Sequence, residues 1–268
     1  MRYVRIIAMT LLSVIFGAAL LAPTLAPSDY AMQFREAPNS PPSTRFLLGT
    51  DELGRDRLSR VLFASRISLL LAPAAAAIST LFAGVIGTVV GYLGGIVEKV
   101  MMAAVDLFMS LPWLFLLITI RAMLPLDLAP VVSVIVTFTL LGFLGWAASA
   151  RVVCAGARTL RSSMFMLNAR GQGCRSWRLI AFQLLPNLRL VLWAQFLISI
   201  PVFVLAEANL GMLGLGVTEP LPSLGGLMRE LENLPTVPLQ PWRLVPIAVL
   251  AACVSAFQII VSGYEVEV

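Results

Sequence analysis

The stretch ARVVCAGARTLRSSMFMLNARGQGCRSWRLIAFQLLP, residues 150–186, lies between two long apolar runs, and its reading decides how the rest of the chain is laid out. It carries Arg151, Arg158, Arg161, Arg170, Arg175 and Arg178 without one Asp or Glu. In a membrane protein, a short loop with that bias lies on the cytoplasmic side. Within it, residues 164–172 read as a short helix ended by Gly173, the residue type that takes up a left-handed helix terminus at least cost. A second helix then begins. Ser176 is placed to cap it, and Trp177, Ile180, Ala181, Leu184 and Leu185 recur at helical spacing until Pro186 interrupts the backbone hydrogen bonding. The expected local structure is helix, glycine bend, helix: an ordered basic platform.

Composition places the platform in a membrane protein. Hydrophobic residues are 59% of the 268, charged residues 12%, and the mean hydropathy is +0.92, where soluble domains carry about 25% charged residues. The net charge of +5 does not argue for nucleic acid, because the basic residues sit where membrane topology needs them. Cys154, Cys174 and Cys253 are scattered and read as free thiols. There is no histidine, which removes the commonest general base and metal ligand.

Outward from the platform, the apolar runs predict an all-α polytopic protein with six spans in a single transmembrane domain covering residues 1–268. The first span, about 6–26, follows Arg2 and Arg5 and reads as a cleaved signal or a retained helix. Pro23 and Pro27 flank a poor cleavage site and favour retention, which puts the amino terminus in the cytoplasm. An external segment, about 27–66, ends in two acid-before-base pairs four residues apart, Asp51 with Arg55 and Asp56 with Arg60, the spacing of an external helix lying on the membrane. Five core helices follow, about 67–262: residues 68–92, 101–124, 131–150, 188–205 and 242–261. Gly84, Gly87 and Gly91 form a small-residue face suited to close helix packing. Gly94 and Gly95 predict a tight turn. Residues 211–241 form an external loop carrying Glu219, Glu230 and Glu232, and both termini are expected inside.

Charges within apolar spans cost about 2.5–3.5 kcal/mol each and need a reason. Asp106 is expected either at a capped or water-exposed inner interface or on a pathway, Glu207 on a pathway, at the outer boundary or in a helix contact, and Arg121 snorkelling to the outer face. Met109, Trp113 and Phe203 face a pathway, lipid or another helix. No phosphate loop, zinc-protease motif or Ser-His-Asp set is present, so the chain is expected to be no enzyme and to bind no cofactor or metal itself. A lone secondary transporter would show inverted repeats and paired intramembrane charges, and neither is seen.

Several stretches together resemble the dipeptide, oligopeptide and nickel branch of binding-protein-dependent ABC importer permeases, in particular the second permease of the pair. They are LLGTDELGRDRLSR followed by ASRISLLL, then GWAASARVV, Gly173, the LLPN at 184–187, and LAEANLGMLGLGVTEPLPSLGGLM. The resemblance covers roughly residues 45–263. It implies a type I importer fold in a bacterial inner membrane, forming half of a translocation pathway for peptides or a related small solute. It also implies a heterodimer with a sister permease, two cytoplasmic ATPases that hold ATP and Mg, and an extracytoplasmic solute-binding protein. The external motif would be Gly49, Thr50, Asp51, Leu53, Gly54, Arg55 and Asp56, and the coupling helix would lie near 164–175 with Leu167, Asn168, Ala169, Arg170, Gly173 and Arg175. Relatives read approximately EAARALGAS there. Ala169, Arg170 and Gly173 match, but Leu167 stands at the glutamate position, and the sequence ends at FQIIVSGYEVEV where relatives continue. Two expectations follow: Leu167 packs into an apolar part of the ATPase groove, or this copy is a mainly structural subunit with weakened coupling.

Overall fold

Asp56 decides where the first long core helix starts. Its Oδ2 accepts the Ser59 backbone N–H at 2.8 Å and the Ser59 hydroxyl at 2.6 Å, an N-cap arrangement worth about 1 kcal/mol. The computed structural model describes residues 2–125, 128–232 and 240–265. Its helices are α1 (Arg2–Leu20), α2 (Ala22–Leu25), α3 (Arg57–Leu93), α4 (Gly95–Ser110), α5 (Trp113–Met123), α6 (Pro130–Leu144), α7 (Trp146–Arg161), α8 (Met164–Gly171), α9 (Ser176–Arg178), α10 (Leu185–Asn187), α11 (Arg189–Met212), α12 (Leu224–Met228) and α13 (Val245–Glu265). A π-helical stretch, Leu179–Leu184, joins α9 to α10.

By length and composition, five helical segments can cross a membrane: Tyr3–Leu20, Arg57–Leu93, Pro130–Arg161, Arg189–Met212 and Pro241–Ser262. A sixth is the pair α4 and α5, bent by 71°. The expected straight span over 101–124 is therefore broken. Pro112 biases Leu111 out of the helical region, and Leu111 sits at φ −77°, ψ 129°.

The chain packs as two compact units. The first comprises residues 1–73, 120–138 and 201–268. Within it α1 lies along α13, and α12 starts at Ser223, whose Oγ accepts the Gly226 N–H at 3.1 Å. Gly211 lies so close to Gly225 that a Cβ on Gly211 would stand 2.4 Å from the Gly225 carbonyl carbon. Residues 51–56 are not helical, against the expectation of an external surface helix. Asp51 closes a turn through Leu53 N and Arg55 N, Gly54 sits at φ +76°, and Arg57 continues directly into the span.

The second unit comprises residues 74–119 and 139–200. Here the small-residue face of α3 does what the spacing predicts. Gly87 packs on Ala150, Val153 and Cys154, and Gly91 packs on Cys154 and Ala157. Beneath the platform, Tyr92, Val153, Ala157, Met166, Leu179, Leu184 and Leu188 form one buried cluster. Two local expectations change. Arg175, not Ser176, occupies the N-cap of α9, and no side chain caps it. The helix ahead of Pro186 widens to π geometry, because proline has no N–H for Phe182 O and its ring crowds that carbonyl.

Candidate functional site

The platform is built from the inside outward. Met166 of α8 is fully buried, Ala169 packs against the same cluster, and the Arg170 guanidinium lies 4.9 Å from the centre of the Tyr92 ring. At the far end, Gly173 has φ +77° and its N–H donates to Arg170 O at 2.9 Å, while Cys174 N–H donates to Ala169 O at 3.2 Å. These two bonds make a Schellman cap, which fixes the direction in which the chain leaves α8. Nothing lies within 4 Å of where a Gly173 Cβ would stand, so this glycine is required for its backbone conformation and not for space.

The outward face of α8 is apolar. Met164 is 74% exposed and Leu167 48%, with Asn168 beside them and Arg175 exposed just past the bend. Met164, Phe165 and Leu167 thus stand uncovered by the other described residues. The two acids of α4 steady the preceding helix: Asp106 pairs with Arg151 at 2.5 Å, and Glu98 pairs with Arg158 at 3.2 Å. Asp106 is thus in an ion pair, half exposed, and Met109 is exposed on the same helix.

In the other unit, the stretch around Asp51 is a knot. Asp51 Oδ2 accepts Arg55 Nε at 2.7 Å and Arg60 Nη1 at 2.8 Å, and Glu219 holds Arg55 Nη1 and Arg60 Nη2, both at 2.7 Å. Burial alone would lower the Arg55 affinity for its proton, but Asp51 and then Glu219 outweigh it and the pKa is raised. Gly49 and Gly54 have positive φ, and a Cβ on either would strike the carbonyl oxygen of Ser40 or Phe34. Thr50 is buried and its hydroxyl donates to Ala37 O, while Leu53 is exposed. The four-residue spacing of Asp56 and Arg60 does not yield a pair, because Asp56 is used as the cap and Arg60 reaches Asp51 and Glu219.

Of the intramembrane charges, Arg121 differs from expectation and Glu207 takes one of its expected places. Arg121 is 2% exposed and does not snorkel; its Nη2 donates to Ser133 Oγ at 2.8 Å and to Gly216 O at 3.3 Å. Glu207 is wholly buried and accepts the Ser68 hydroxyl at 2.9 Å, so it is a helix contact and not a boundary residue. Phe203 is buried and Trp113 half-buried. Cys154 and Cys253 are buried, Cys174 is exposed, and all three are free thiols, Cys154 lying inside α7. Among the described residues no cluster of three His, Cys, Asp or Glu side chains could hold a metal. The side chains of Glu230 and Glu232 lie outside the described residues.

Sequence reading missed Ser68, Tyr92, Arg60 and Glu219 as site members. Only Ser68, a hydroxyl inside an apolar run, carried a local signal; Glu219 reaches its partners across 159 and 164 residues of sequence.

The sequence pattern of the family described as binding-protein-dependent transport system inner membrane component matches residues 83–264. Among curated relatives, the chain is 31% identical over 253 residues to the dipeptide transport system permease protein DppC of Bacillus subtilis, covering 94% of this chain and 77% of the relative. It is 33% identical over 219 residues to the oligopeptide transport system permease protein OppC of Mycobacterium bovis, covering 82% and 74%. It is 34% identical over 221 residues to the di/tripeptide transport system permease protein DppC of Pseudomonas aeruginosa, covering 80% and 71%. The helical spans, the glycine-bent basic platform and these matches agree: the chain belongs to the family of binding-protein-dependent transport system inner membrane components, as a multi-pass type I ABC importer permease.

Proposed function

We propose that this chain forms half of the import pathway for short peptides, with α8 as the helix that receives motion from a cytoplasmic ATPase. The observation that carries the proposal is the two-sided character of α8: Met166 and Ala169 locked into the core, Met164 and Leu167 left outside, and a Schellman cap fixing the exit. A lever must be rigid toward its own subunit and exposed toward the one that pushes it. In this reading Leu167 enters an apolar part of the ATPase groove, in place of the charged contact that a glutamate would make. ATP and Mg are held, and the ATP hydrolysed, by two partner ATPases, a sister permease completes the pathway, and an external binding protein delivers the solute. Both termini lie in the cytoplasm. The relatives named for dipeptide, di/tripeptide and oligopeptide transport support the substrate class.

The test is a Leu167→Cys variant in a Cys174→Ser background, co-expressed with the ATPases and sister permease. Cross-linking from position 167 into an ATPase, together with ATP-dependent uptake of a labelled dipeptide into proteoliposomes, is expected. Cross-links only to lipid, or uptake that ignores ATP, would overturn the proposal.

A further inference from the structure

An open apolar groove of about 550 Å³ runs between α3 and α11 in the second unit. Ala77, Leu81 and Gly84 line one wall, and Leu192, Trp193 and Phe196 line the other. Its depth comes from Gly84, which lets Leu192 approach to 3.2 Å of where a Cβ would be. Leu81 and Trp193 are 66% and 61% exposed, so the groove is not filled by the described residues. One cation, Arg189, is part of the lining, between Leu185 and Leu192.

Arg189 makes no hydrogen bond or ion pair among the described residues, and the sequence contains no Asp or Glu between Asp127 and Glu207. From Arg189 the apolar lining continues to Phe196, roughly 10 Å along the helix axis at 1.5 Å per residue. The pattern is an anion-seeking head on an apolar trough, with an exposed tryptophan next to the head, as at a membrane boundary.

We propose that this groove binds an anionic phospholipid of the cytoplasmic leaflet, with an acyl chain along α3 and α11 and the headgroup phosphate on Arg189. The leaflet assignment rests on the orientation proposed above. A protein helix in the groove would have to bury the Arg189 charge or bring an acid to it, whereas a lipid phosphate pairs with it at the headgroup level without desolvating either charge fully.

The purified transporter, assembled with its partner subunits, is placed in nanodiscs of phosphatidylcholine with and without phosphatidylglycerol, and retained lipid is counted by native mass spectrometry after release. Wild type is expected to retain phosphatidylglycerol selectively. Arg189→Gln should lower that retention about fivefold, the ratio given by about 1 kcal/mol per basic residue at an anionic surface. Arg189→Lys should preserve most of it. Ala77→Trp, which fills the far end of the groove, should reduce retention of both lipids while leaving the thermal midpoint unchanged. Equal retention of the two lipids by wild type would overturn the proposal. So would efficient cross-linking of Leu81→Cys to the sister permease, which would make the groove a subunit contact. Neither readout depends on transport, so failure here leaves the import proposal standing.

Discussion

Replacing Gly91 by alanine drives a methyl group into a contact that has no room for it. A Cβ at Gly91 would stand 2.6 Å from the Cys154 carbonyl oxygen and 2.7 Å from the Ala157 Cβ. Favourable separations are about 3.5–4.0 Å, so α3 and α7 would have to part by roughly 1 Å. Both obstacles are backbone or Cβ atoms, and no rotamer change relieves them. Overpacking of this kind costs about 1–3 kcal/mol. For a chain of this size each kcal/mol moves the thermal midpoint by about 2–4 °C, so a fall of about 2–12 °C is expected. Gly171→Ala is the control: nothing lies within 4 Å of its Cβ position, and a helical residue gains propensity from the change. Thermal unfolding of the assembled transporter in nanodiscs, followed by tryptophan fluorescence, reads both variants. A Gly91→Ala midpoint equal to that of wild type would refute the close-packing argument, and with it the idea that α3 holds α7 in place beneath the platform.

Gly173→Val places a β-branched residue at φ +77°, a strain of about 1–3 kcal/mol, and should reduce peptide uptake severely while subunits still co-purify; unchanged uptake would remove the role of the bend. Leu167→Glu should leave substrate-stimulated ATP hydrolysis unchanged or lower it, and a large gain would count against a working apolar contact. In the knot around Asp51, Asp51→Ala leaves the buried Arg60 only the largely exposed Glu219 and also removes the acceptor of the Leu53 and Arg55 N–H groups, and should cost about 3 kcal/mol in thermal or denaturant unfolding. Glu219→Ala leaves Arg55 and Arg60 still paired with Asp51, and because the Glu219 side chain is 60% exposed the loss should stay within about 1 kcal/mol. Equal losses in these two variants would contradict the reading of Asp51 as the centre of the knot.

What could be read from the sequence was whatever depends on neighbours in the chain. The apolar runs identified the spans, Gly87 and Gly91 marked a packing face, and Gly173 marked a bend, because left-handed backbone strongly favours glycine. The acid-free run after residue 150 identified the basic platform. What escaped were pairings made in space. Arg60 stands four residues from Asp56, yet its guanidinium goes to Asp51 and Glu219, while Asp56 turns Oδ2 to the Ser59 N–H and hydroxyl. Arg121 was expected at the surface, but Ser133 and the Gly216 carbonyl, 95 residues away, hold it inside. Glu207 found Ser68 across 139 residues. Pro112 carried a local signal for the broken span, a proline within an apolar run, but hydropathy averages across it.

In the proposed role α8, with Leu167 outward and Gly173 at its end, couples this permease to an ATPase. The most direct measurement is ATP hydrolysis by the transporter reconstituted in nanodiscs from this chain, its sister permease and its ATPases, with and without the loaded binding protein. Stable assembly is expected, with hydrolysis that rises when loaded binding protein is added and a rise that Gly173→Val abolishes. Stable assembly whose hydrolysis ignores the binding protein in the wild-type complex would contradict it.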